Sequence, residues 1–120
     1  MLGLAREVVA GGVDEPTASD ARDRFYVDVV DTRKYGSDAS AMFVGLAAAN
    51  TVLEALNPDN FDAIPVEEDD EDLDPAAYDT SYLCASAVAR GLNGRSANVE
   101  QRRAFWRWYL CDAIPEIYQL

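Results

Sequence analysis

The 120-residue sequence predicts a single all-α domain: a bundle of four to five helices with a long acidic loop over residues 57–74. Three observations carry that prediction. An apolar stripe at helical period runs from Ala39 to Leu56. Capping patterns stand ahead of the other long stretches. Aromatic residues recur at helical spacing near the C-terminus. No internal repeat is present, and a chain of this length, nearly half apolar, buries one core as one domain, 1–120.

Residues 2–10 form a short helix stopped by Gly11-Gly12. Thr17-Ala18-Ser19-Asp20 has capping-box spacing. Beyond it Phe25 pairs with Val29 and Tyr26 with Val30 at i,i+4. The same residues are strand formers, and helix is preferred because a cap lies upstream and Gly36 supplies a stop. Ser37 or Asp38 caps the next helix, Ala39 to Leu56, on which Met42, Phe43, Leu46, Ala47, Ala49, Leu53 and Leu56 make the stripe. Gly45 and the alanines beside it allow another helix close approach, and Asn57-Pro58-Asp59-Asn60 ends it. The loop that follows is pinned to the core by Phe61 and Ile64-Pro65-Val66. Asp74 with Pro75 starts a helix that runs to about Arg90, closed by Gly91 or Asn93-Gly94. It buries some combination of Tyr78, Tyr82, Leu83, Ala85, Ser86 and Ala89. Asn98 with Gln101 caps the last helix, with Phe105, Trp106, Tyr109, Leu110, Ala113 and Ile114 on one stripe and Pro115 ending or kinking it. Trp108 lies off that stripe and belongs to a second interface, with another helix or a partner.

The chemistry on offer is narrow. Without histidine there is no Ser-His-Asp or Cys-His site and no commonest transition-metal ligand. Cys84 and Cys111 cannot alone build a structural zinc site, and both read as reduced core thiols and not as a disulfide. No phosphate-binding glycine loop occurs. An EF-hand counted from Asp69 fails, with Asp74 where the glycine belongs and Thr80 where the glutamate belongs. No enzyme, metal or cofactor is expected. No apolar stretch approaches the eighteen or so residues of a bilayer span, and Arg6 and Glu7 interrupt any leader, so the cytoplasm is expected.

Charge is the most pointed feature. The net charge of −12 arises wholly between Lys34 and Arg90, which enclose twelve acids and no base, while the flanks hold ten of each sign. Its densest point is Glu67-Glu68-Asp69-Asp70-Glu71-Asp72-Leu73-Asp74. Such a focus steers cationic partners and repels nucleic acid and anionic membrane. A salt-adapted protein would spread its acids, so that reading ranks second; a loop serving only solubility remains the bland alternative. Arg102, Arg103 and Arg107 are the one basic cluster, expected to pair internally with Glu100, Asp112 or the acidic run.

Residues Arg102 to Pro115, Arg-Arg-Ala-Phe-Trp-Arg-Trp-Tyr-Leu-Cys-Asp-Ala-Ile-Pro, resemble the C-terminal pattern of all-helical immunity proteins of bacterial polymorphic toxin systems. Ala87-Val88-Ala89-Arg90 matches an Ala-x-x-Arg motif of one such family. The resemblance implies an intracellular protein that binds and blocks a secreted toxin domain, often a nuclease. The expected contacts with that basic partner are Asp59, Asp62, Glu67, Glu68, Asp69, Asp70, Glu71, Asp72 and Asp74, with Phe61, Tyr78 or Trp108 as apolar anchor. Direct nucleic-acid binding is not expected. The alternatives are a nucleic-acid mimic or regulator of a DNA-binding protein, and a small ligand-binding domain with a pocket among Tyr78, Tyr82, Trp106 and Tyr109.

Overall fold

A computed structural model describes residues 1–30, 39–58, 79–92 and 97–119, and every element among them is helical. In order they are α1 (Leu2–Val9), α2 (Glu15–Val30), α3 (Ala39–Leu56), α4 (Thr80–Ala89) and α5 (Val99–Trp108), then a π-helical turn (Tyr109–Ala113) and α6 (Ile114–Tyr118). α3 is central, with α1, α2 and α4 packed around it, and α5 lies on α4. The core is built from Val29, Phe43, Leu46, Ala47 and Leu83, with Phe25, Tyr26, Met42 and Tyr82 closing its edges.

α1 stops at the glycine pair because Gly11 adopts φ +72°, a left-handed conformation costly for any residue with a Cβ. α2 starts one turn earlier than the capping box at Thr17 implies. Asp14 is the cap: its Oδ1 accepts from the Thr17 amide at 3.0 Å and its Oδ2 from the Thr17 hydroxyl at 2.9 Å. Pro16 fits the first turn, where no amide donor is needed. Asp20 is thereby released to pair with Arg24 at 2.7 Å, an i,i+4 bridge on the exposed face. Phe25 to Val30 is helical, as preferred over strand.

α3 has the bounds its stripe predicts. Gly45 sets how closely α2 approaches, since a Cβ there would lie 2.8 Å from both methyls of Val29. With a mean hydropathy of 1.5 over 18 residues, α3 does have the length and composition of a membrane span, which corrects the expectation that none does. Its contacts with three neighbouring helices make it the core helix of the bundle.

Of the helix expected from Asp74 to Arg90, the described part starts at Thr80. Asp79 is extended (φ −67°, ψ 157°) and caps α4, accepting from the Tyr82 amide at 2.7 Å and from the Ser81 hydroxyl at 2.5 Å. Nor is a glycine the left-handed residue at the other end. Arg90 takes φ 60°, ψ 32°, with its amide donating to the Ala87 carbonyl and that of Gly91 to Ser86, a Schellman closure. The Gly36 stop, the Ser37 or Asp38 cap, the Asp74-Pro75 start and Asn93-Gly94 all lie outside the described residues.

Asn98 caps α5 as expected, accepting from the Gln101 amide at 3.1 Å. The helix then neither ends nor breaks at Pro115. It widens one turn earlier, where the Ile114 amide donates to Tyr109, five residues back. A proline lacks the amide that an α-helix would use and crowds the carbonyl four residues before it; the wider turn accommodates both. Leu110, expected in the buried stripe, lies in this turn and is 60% exposed. Cys111 is exposed as well, so of the two expected core thiols only Cys84 is even partly covered; both are free.

Candidate partner-binding surface

The acidic positions Asp59, Asp62, Glu67 to Asp72 and Asp74, with Phe61 and Tyr78, lie outside the described residues, but the two places where the chain enters and leaves that stretch do not. α3 ends at Leu56, with the Asn57 side chain donating to the Leu53 carbonyl at 3.1 Å. Where the chain returns, Glu54 of α3 accepts from both the amide and the hydroxyl of Thr80, at 3.2 and 2.8 Å. A carboxylate on one helix therefore supplies acceptors to the amide-rich start of another. This clasp joins the last turns of α3 to the start of α4, the described residues on either side of the acidic stretch in sequence. Burial, and then the Asp79 and Glu54 carboxylates, push the Cys84 thiol upward, which favours its protonated form near neutral pH.

α5 runs back along α4: the Asn98 amide donates to the Ala89 carbonyl, and Arg102 reaches Ser86 and Tyr82. Beyond Arg102 the aromatic residues pack on one another. Phe105 stacks on Tyr109 with centroids 5.9 Å apart, and Trp106 meets both edge-on at 5.4 and 5.7 Å. Tyr78, one wall of the ligand pocket considered above, lies outside the described residues. Trp108 touches Phe105 at 5.8 Å yet stays 53% exposed, off the buried stripe as its position implies. It follows Arg102 by six residues, next in sequence to the exposed Arg107.

Among the described residues, part of the expected internal pairing of the basic cluster is found. Arg103 meets Glu100 at 3.4 Å. Arg102 is buried, and it bonds to the Ser86 hydroxyl and the Gly91 carbonyl with its guanidinium 5.5 Å from the Tyr82 ring centroid. It thus joins α4, its C-terminal closure and α5 in one node. A second inward-facing arginine escaped the sequence reading. Arg22 bonds to Asp23 at 3.0 Å and lies over Tyr26, while its Nε and Nη2 are buried with no hydrogen-bond partner among the described residues. Its position on the Ala18–Arg22–Phe25–Val29 stripe is the signal that could have flagged it. Among the described residues no three His, Cys, Asp or Glu side chains group as a metal site requires.

The described residues make an all-helical protein in which Glu54 joins the end of α3 to the start of α4 and Trp108 faces solvent. The particular family follows from comparison, since the model of immunity protein Imm5 matches residues 1–116. The chain belongs to the Imm5 immunity protein family, in agreement with the resemblance at Arg102–Pro115. Comparison with the curated proteins finds no match.

Proposed function

We propose that this Imm5 protein works by binding and not by catalysis, neutralising a basic, nuclease-type toxin domain in the cytoplasm of the cell that makes it. The carboxylates Asp59, Asp62, Glu67 to Asp72 and Asp74 cover the toxin's cationic surface, and Trp108 with Phe61 supplies apolar anchorage. The observation that carries this reading is the Glu54–Thr80 clasp, which brings together the two described segments that the acidic stretch connects in sequence. Nuclease surfaces are positive because they hold phosphates, so a blocking protein gains both speed and selectivity from concentrated carboxylates. Exposed tryptophan is the residue type that most often dominates binding energy once a partner buries it.

The test is stopped-flow association with the toxin encoded by the adjacent reading frame. Replacing Glu67, Glu68, Asp69, Asp70, Glu71 and Asp72 by their amides is expected to slow association by about tenfold or more at low salt and to flatten its salt dependence. An unchanged on-rate refutes the acidic contact. Failure of the unaltered protein to bind or inhibit that toxin refutes the reading as a whole.

A further inference from the structure

The helical arm that follows α5 has no bundle helix against it. Among the described elements the π-helical turn touches only α5 and α6, and α6 touches only that turn. The arm is nonetheless rich in large apolar side chains at the surface. Trp108 and Leu110 at its start are joined by Ile117 and Tyr118, 76% and 71% exposed. Single exposed apolar residues are ordinary, but a set of this size along one short helical segment marks a contact surface.

The arm's own charges select what fits it. Asp112 and Glu116 are exposed, and neither meets a base among the described residues. A turn closed five residues back holds more than the 3.6 residues of an α-helical turn, so positions four apart stay in line. Trp108, Asp112 and Glu116 therefore share one row, an indole followed by two carboxylates. The nearest base in sequence, Arg107, is turned about 100° from Trp108 around the axis. Beyond Arg107 the sequence holds no base at all. A second copy of the chain is a poor occupant, because an isologous pair of arms sets acids against acids on two chains that each carry −12. Anionic membranes and nucleic acid are repelled by the same charge.

We propose that this arm docks, as a helix in a groove, into an apolar cleft of the toxin domain whose rim carries lysines or arginines that reach Asp112 and Glu116; the inference rests on the immunity reading above. Calorimetric titration of the full chain with the toxin from the adjacent reading frame tests it. Leu110→Gln combined with Ile117→Gln is expected to weaken binding about tenfold or more, while Val27→Gln, on the exposed face of α2, leaves it within about twofold. Asp112→Asn combined with Glu116→Gln weakens binding about threefold or more at low salt and lessens its salt dependence. The altered side chains all face water in the free protein, so the unfolding midpoint is expected to stay near that of the unaltered chain. In the complex, amide exchange across residues 109–118 slows. If the arm variants bind like the unaltered chain and exchange in 109–118 is unchanged, the arm proposal falls and toxin neutralisation stands. Arm variants that alter only self-association, or only binding to neutral phosphatidylcholine vesicles, assign the arm to a second copy or to a membrane and overturn the proposal. No binding by the unaltered chain overturns both readings together.

Discussion

Asp14 and Asp20 are the same residue six positions apart, yet one starts a helix and the other makes a surface ion pair. The difference is what each carboxylate can reach. Asp14 precedes the first turn and meets the free Thr17 amide and hydroxyl, and those bonds hold its pKa below the ordinary 3.8. A carboxylate with a lowered folded-state pKa stabilises fully above its unfolded value and loses that contribution as pH falls through the folded one. Asp14→Asn keeps an acceptor for Thr17 but cannot titrate. The gap in denaturant midpoint between the native protein and this variant, seen at neutral pH, is therefore expected to shrink at about pH 2. An acid-independent gap would show that the cap draws nothing from ionisation. The arginines teach a similar lesson: Arg102 is satisfied by a hydroxyl, a carbonyl and a ring, so burial of a guanidinium does not require an acid.

Among the elements, the α2–α3 contact offers the sharpest test. Alanine at Gly45 gains roughly 1 kcal/mol of helix propensity but drives a methyl into Val29, and overpacking of this kind costs about 1–3 kcal/mol. Val29 is fully buried and β-branched, so it cannot swing aside. Gly45→Ala is expected to destabilise by about 1 kcal/mol in equilibrium unfolding, and the same change made in a Val29→Ala background should cost less, because the clashing methyls are gone. The bounds of α3 and the Asn98 cap were legible because periodicity and capping are local, spanning one or two turns. The Glu54–Thr80 clasp was not, since its partners are 26 residues apart and no local pattern links them. Arg90 in a glycine's conformation and the π turn before Pro115 were hidden for another reason: each replaces an expected solution with an alternative that satisfies the same backbone groups. Of the anticipated contact residues only Trp108 falls among those described, and its exposure matches its place off the stripe.

For the molecule as a whole, −12 on one domain means self-repulsion that salt relieves. Raising ionic strength from about 0.01 M to about 0.15 M shortens the screening length from roughly 30 Å to 8 Å. The melting temperature of the free protein is expected to rise over that range, and a flat or falling response in a thermal scan would show that the carboxylates are neutralised internally. The Glu54–Thr80 clasp also separates two kinds of inheritance. Because Glu54 and Thr80 join α3 to α4 directly, the contact between these helices does not depend on the chain that links them in sequence. Doubling a flexible connection costs only about 0.6 kcal/mol in closure entropy. In the role proposed for the acidic segment, divergence among rival lineages is expected to accumulate there, at little risk to the helices on either side.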